Sequence, residues 1–340
     1  MNHLLIPSFD LPRAYRRGDV IGAIMDSEVQ PPHLRRFARY MKDQAKAEMP
    51  HYLFATAPKD NWTAGAWKGK RSLIYKAWQA TDRAKAMMGA QLTGDCVSWG
   101  ERCKQEIRRS VEIVVDGELE EYTARQATCA LYAGRGHTGD GASPVGIANY
   151  ALKCGILPEI IFTDTNGKKW DFTNYQSYVN IGISYGRTGL PRSILDITSK
   201  NAVLGNSLVE TIEELCDLLY NGYASSIGFS IDTAPEGDPV SRFNGTTAHE
   251  TCIVGYDDTP EARAACKRSL GYEDTIIMFD QSWGKWNRVT NTLPEWEPLG
   301  EGMYFHSARD AQRLLNEREC TTTTGSIRGF KGTPLNNLLV

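Results

Sequence analysis

Gln91-Leu92-Thr93-Gly94-Asp95-Cys96-Val97-Ser98-Trp99 is the stretch on which the fold of this chain turns. Gly94-Asp95 ends the segment before it, and Cys96 opens a proline-free run of helical composition extending to about Ser110. The sulfur is therefore expected at a helix N-terminus, where unpaired backbone amides and the macrodipole lower a thiol's pKa. A cysteine so placed is a candidate nucleophile, whereas most free cysteines are small buried hydrophobes. Asp95 is a counterweight, because a carboxylate beside the sulfur opposes thiolate formation when both are ionised.

A sulfur nucleophile needs a base to take and return its proton. Of the six histidines, His249 stands at the mouth of an apolar strand, Ala248-His249-Glu250-Thr251-Cys252-Ile253-Val254-Gly255-Tyr256. Pairing His249–Tyr256 antiparallel with Asp274–Gln281, around a polar loop at 257–273, sets Gln281 directly across from His249. Strand alternation then gives Gln281 the histidine's face and turns Asp280 away, unless a bulge intervenes. An amide carbonyl there accepts the imidazole N–H and fixes its orientation; Asp280 is the alternative orienting group, and a satisfied structural histidine is the alternative for His249.

Three segments, Gln91 through Trp99, Thr247-Ala248-His249 through Tyr256, and Gln281-Ser282-Trp283-Gly284, resemble the signature blocks of the papain family of cysteine peptidases, in that family's order. The interval from Cys96 to His249 is close to the roughly 130–150 residues typical of such enzymes. Gly139-Asp140-Gly141-Ala142-Ser143-Pro144 is similar to the family's glycine-rich substrate strip, and Gly300-Glu301-Gly302-Met303-Tyr304 to its closing strand. The resemblance spans about residues 89–318. It implies Cys96 as nucleophile, His249 as base and acid, and Gln281 in place of the usual orienting asparagine. It further implies Trp283 as the shield of the base's hydrogen bond, Gln91 as oxyanion donor and Gly141 as a backbone contact to an extended peptide. Gln91 lies five residues before Cys96, one closer than is usual, and Thr93 replaces a disulfide cysteine common in secreted members. An intracellular bacterial or phage-type member fits that replacement.

By composition a small uncharged or peptide-like substrate fits this chain better than a polyanion. The 340 residues, 41% of them hydrophobic, suffice for a sizeable core. The formal charge of −3 gives no electrostatic reason to expect nucleic acid or an anionic membrane as partner. No run approaches the roughly 18 apolar residues of a membrane helix, and the first residues lack the pattern of an export signal. The protein is expected in the cytoplasm, or virion-associated if viral, and not secreted. Eight scattered cysteines without a CxxC pair speak against a disulfide framework or a zinc site, so neither metal nor cofactor is expected. No Gly-x-Ser-x-Gly occurs, Gly65–Ser72 lacks the spacing of a phosphate loop, and His137 is a loop histidine with a possible substrate contact.

Residues 1–88, punctuated by prolines and basic pairs, read as an N-terminal arm with helices near His33–Met49 and Ser72–Met88 and an irregular link at 51–71. Val111–Tyr122 reads as a hairpin about Asp116-Gly117, and Thr123 with Gln126 as a capping box for a helix to about Ala133. Ser143 and Pro144 start a further helix that Gly155 closes, and another is expected over Leu208–Tyr220. Strands are expected at Ala224–Ile231, His249–Tyr256, Thr275–Phe279 and Gly302–His306. The expected fold is α+β: a helical half bearing Cys96, an antiparallel β-barrel-like half bearing His249 and Gln281, and a cleft between them over residues 89–320. The arm precedes it as an inhibitory pro-segment or a docking element for a larger assembly, and a loose tail follows at 321–340. The expected activity is peptide-bond hydrolysis through a thioester. The alternatives are a catalytically weak papain-like domain serving as a structural part of an assembly such as a viral particle, and an acyltransferase or deconjugating peptidase.

Overall fold

The structure, a computed structural model, describes residues 64–81, 89–116, 125–201, 203, 205–229, 239–241, 249–284, 291–297 and 302–323. The expected helix at His33–Met49 lies outside them. The chain folds as α+β. Nine strands are described: β1 (Arg71–Ser72), β2 (Ile161–Thr163), β3 (Lys169–Asp171), β4 (Asn206–Leu208), β5 (Ser225–Phe229), β6 (His249–Asp257), β7 (Ile276–Asp280), β8 (Tyr304–Ser307) and β9 (Cys320–Thr323). The helices are α1 (Tyr75–Thr81), α2 (Cys96–Asp116), α3 (Thr128–Tyr132), α4 (Pro144–Cys154), α5 (Tyr175–Tyr185), α6 (Arg192–Thr198), α7 (Ile212–Tyr220), α8 (Pro260–Leu270) and α9 (Ala308–Glu317).

The β half is a seven-stranded sheet running β4-β9-β5-β6-β7-β8, with β1 on β6. β6 is its centre: β5 pairs with it over 249–253, β1 at 256–257, and β7 over 252–257. All nine β6 residues are buried, as befits a strand covered on both faces. The helical half gathers α3 to α6 around Leu131, Ile147, Phe172, Tyr178 and Ile194. α2 is the seam, lying against β5 and β6 on one side and α3 and α4 on the other.

α2 runs to Asp116, through the segment expected to turn as a hairpin. Cys103, Ile107 and Val111 repeat every four residues on its buried stripe, so tertiary burial carries the helix past the β-branched residues. The helix also buries Arg102, Lys104 and Glu106, which are paired: Arg102 meets Glu106 at 2.8 Å and Lys104 meets Glu101 at 2.7 Å. Removing one partner strands a charge in the interior.

Ser143 caps α4 by accepting from the Gly146 N–H, with Pro144 in the first turn, and Gly155 closes it at φ 74°. α3 has Ala127 as its N-cap and Gln126 bridges Pro158; Thr123, the other member of the expected capping box, lies outside the described residues. In place of one helix from Leu208, strand β4 ends there, and a capping box of Thr211 and Glu214 starts α7. The expected loop at 257–273 contains α8, with Thr259 as N-cap and Pro260 in its first turn.

Two expected boundaries move. Trp67, Leu73, Ile74, Tyr75 and Trp78 belong to the main core and Arg71–Ser72 pairs with β6, so the described residues 64–81 are part of the folded unit, not an arm. The tail does not begin at Thr321: Cys320–Thr323 lies buried between β4 and β5, where its threonines suit a strand.

Candidate active site

Cys96 is the first residue of α2, as its sequence context indicates, and it is fully buried. Its Sγ accepts a hydrogen bond from the Glu250 backbone N–H at 3.3 Å, so the sulfur meets β6 one residue beyond His249. The expected lowering of its pKa is reversed: burial pushes the thiol well up, and Glu250 and Asp95 add to the shift. Removal of water outweighs the helix terminus here.

His249 opens β6 and is equally buried; burial lowers its pKa to about 3, so the imidazole is neutral. The ring stacks on Trp283 with centroids 4.2 Å apart. Among the described residues neither ring nitrogen has a hydrogen-bond partner.

The expected register does not hold. β6 and β7 pair as Cys252↔Asp280 and Ile253↔Phe279, and the register shifts between Ile253 and Gly255. Carried outward, the ladder sets Trp283 rather than Gln281 across from His249, which the ring stack matches. The offset is set at the α8 end of the ladder, where Asp257 pairs with Ile276, three residues from the expected count, and the shift between Ile253 and Gly255 takes back one of the three. The offset on this side is two residues, so strand alternation leaves Gln281 on His249's face, opposite Thr251. The Gln281 amide serves its own loop: Oε1 accepts from the Trp283 N–H at 2.6 Å and Nε2 reaches the Gly284 carbonyl at 3.4 Å. Asp280 accepts from the Gln281 N–H at 3.0 Å.

Gln91 is buried and stitched to the same loop. Its N–H donates to the Ser282 carbonyl at 2.7 Å, and the Ser282 hydroxyl donates to its Oε1. Its Nε2 donates to the Thr93 carbonyl at 2.7 Å. Gly284 N–H to Gly89 carbonyl, at 3.0 Å, completes the seam that holds the loop before Cys96 against the loop after β7. Gly141 sits across from Gly94, donating to its carbonyl at 3.2 Å, in a left-handed conformation (φ 81°) natural to glycine. Cys96 Sγ thus lies against the backbone of β6 next to His249, His249 stacks on Trp283, and Gln91, Gln281 and Gly141 lie in loops tied to these segments. His137 lies half-buried beside Gly139.

Glu250 escaped the sequence reasoning. It is fully buried, its carboxyl pKa is pushed well up by burial, and its side chain packs between Gly100 and Ser226. A carboxylate next to His249 at the start of β6 was the only signal for it.

All eight cysteines are free thiols. Among the described residues no helix is long and apolar enough to cross a membrane, and no group of three or more His, Cys, Asp or Glu is arranged to hold a metal.

The chain is similar in structure to Xylellain, a cysteine protease from Xylella fastidiosa, at 15% identity over 81% of this chain and 91% of that one, with a TM-score of 0.48. It is similar also to procathepsin L2 from Tenebrio molitor (10% identity, 90% and 78% covered, TM-score 0.48) and to proCathepsin B from Trypanosoma congolense (12%, 86% and 84%, TM-score 0.46). No protein-family model matches the chain, and no curated protein matches its sequence.

Proposed function

We propose that this chain is a papain-like cysteine peptidase with Cys96 as nucleophile and His249 as its base. The observation that carries the proposal is the contact of Cys96 Sγ with the Glu250 N–H, which brings a helix-terminal sulfur within one residue of a histidine at the seam between the two halves. Contacts among the described residues of the three blocks that resemble the family support the reading: Cys96 with Glu250, His249 with Trp283, and Gln91 with Ser282.

In the proposed reaction the His249 imidazole takes the Cys96 proton as sulfur attacks the carbonyl carbon of a peptide. The carbonyl electron pair moves to oxygen, where the Cys96 N–H and Gln91 are its donors. Return of that pair breaks the C–N bond, the imidazolium protonates the leaving amine, and a thioester remains. Water, deprotonated by His249, then attacks the thioester and releases the acid and the thiol. Trp283 covers the imidazole, Gln281 orients it once its Oε1 has left the Trp283 N–H, and Gly141 offers its backbone to the extended peptide. Full burial of Cys96 means that a peptide gains access only when the seam opens, and Gln91 Nε2 must leave the Thr93 carbonyl to reach an oxyanion. The eight free thiols support a reducing compartment, cytoplasm or virion interior.

Hydrolysis of a pool of fluorogenic peptides by the full chain, compared with Cys96→Ala, tests the proposal. Activity lost in the variant supports it. No activity in the wild type, or equal activity in both, leaves a structural domain as the outcome.

A further inference from the structure

Asp95, immediately before Cys96, is buried, and both of its carboxyl oxygens are held by three elements of the helical half. Oδ1 accepts from Trp99 Nε1 of α2 at 3.2 Å and from the Tyr175 hydroxyl of α5 at 3.0 Å. Oδ2 accepts from Thr128 Oγ1 of α3 at 3.2 Å and lies 3.1 Å from the same Tyr175 hydroxyl. That hydroxyl in turn accepts from the Leu92 N–H at 2.9 Å, so one carboxyl group ties the loop before the nucleophile to α2, α3 and α5. The Asp95 backbone carbonyl accepts from the Ser98 and Trp99 N–H groups, which makes the residue the first link of α2 itself.

We propose that Asp95 is a positioning residue for Cys96 and that its charge state is a gate on the sulfur: neutral, it fixes the turn and sets no charge of its own against the thiolate; ionised, it opposes the thiolate beyond the opposition that burial already imposes. The role of Cys96 as nucleophile rests on the peptidase proposal; the gate is a property of the two neighbours alone.

Burial raises the Asp95 carboxyl to about 7, against the donors from Tyr175, Thr128 and Trp99, which lower it. The group therefore gains its charge near neutral pH. Negative Asp95 raises the thiol's pKa, and so does Glu250 on β6. The other titratable groups around Asp95 are Tyr175 on α5, and Cys129 and Tyr132 on α3, with Asp140 beside Tyr132. The nearby cations are committed elsewhere. Arg102, over the Trp99 ring, pairs with Glu106 and Glu159, and Arg135 donates to the Tyr132, Gly139 and Gly182 carbonyls. The tyrosines stay neutral in this range because burial raises them further.

The test is the iodoacetamide alkylation rate of Cys96 in the intact chain from pH 5.5 to 9, read on the Cys96 peptide by mass spectrometry. Wild type is compared with Asp95→Asn and Tyr175→Phe, and thermal melts confirm folding. The gate predicts a wild-type rate that rises with pH and then bends near 7. Asp95→Asn has no bend, matches wild type at pH 5.5 and exceeds it on the order of tenfold at pH 8.5, the effect of about one pKa unit from an adjacent like charge. Tyr175→Phe, which removes a donor that lowers the Asp95 pKa, moves the bend to higher pH. Parallel wild-type and Asp95→Asn profiles overturn the gate, as does an Asp95→Asn rate depressed equally at every pH or Cys96 unlabelled in all three proteins. Should peptide hydrolysis be absent while the profiles diverge, the peptidase proposal fails and the gate stands.

Discussion

The backbone N–H of Glu250 donates to Cys96 Sγ over 3.3 Å, although the two residues are 154 positions apart in the chain. The contact joins the start of the central helix to the start of the central strand, and it makes the state of Glu250 part of the site's chemistry. The Glu250 carboxyl is buried, its pKa is well above the ordinary 4.5, and it raises the thiol's pKa in turn.

Glu250→Gln is therefore expected to fold and to gain on wild type as pH rises. The folded pKa is raised, so this group's contribution to stability is complete below about 4.5, its unfolded value, and is lost as pH climbs toward the folded value. The variant keeps the shape and lacks the titration. Urea unfolding at pH 5, 7 and 9 checks this; the stability gap should widen in the variant's favour, by at most about 1.4 kcal/mol per pH unit. A constant gap contradicts it.

His249 has the opposite sign. Its folded pKa, about 3, is below the ordinary 6.5, so its stabilising contribution is complete above 6.5 and is lost as pH falls through that window. His249→Phe preserves an aromatic face for Trp283 and removes the proton uptake. The difference between wild type and variant is expected to fall by up to about 1.4 kcal/mol per pH unit between pH 6 and 4. His306, lowered to a similar value, remains in both proteins and cancels from the difference.

Trp78→Ala tests whether residues 64–81 belong to the folded unit. The indole is buried against the main core and donates to Glu106 Oε2 at 3.1 Å. Truncation is expected to cost about 3–5 kcal/mol, read as a lower denaturation midpoint. A change below about 0.5 kcal/mol is what a loosely attached arm would show.

Thr322→Pro makes the same test at the other end. Thr322 pairs with Ser207 on one side and Ser225 on the other, so proline removes a backbone donor from an interior strand and sets its ring against a flanking strand. About 3 kcal/mol or more is expected in denaturant unfolding. An unchanged midpoint would put the loose tail back at Thr321.

Local signals in the sequence were legible where one residue type has one use. Cys96 at a helix start, Ser143-Pro144 opening a helix and His249 opening a strand all stand where their neighbours indicate. Long-range relations were not legible. The Asp95–Tyr175 hydrogen bond spans 80 residues, and no periodicity reports it. The connection through α8 sets Asp257 opposite Ile276, three residues from the expected count, and no residue type marks that offset in the sequence, so the expected His249–Gln281 pairing was displaced. Val111 reads as strand by its type and is helix by its burial on the Cys103–Ile107 stripe. The threonines of β9 read as loose because the strands that flank them are contributed by distant segments.

The most direct test of the proposed chemistry is labelling of the full chain with an epoxysuccinyl peptide, followed by mass analysis of each cysteine. The proposed site predicts one adduct, on Cys96, abolished in Cys96→Ala and slowed at least tenfold in His249→Ala. A folded protein that takes no label at Cys96, or takes it at the same rate without His249, would contradict it.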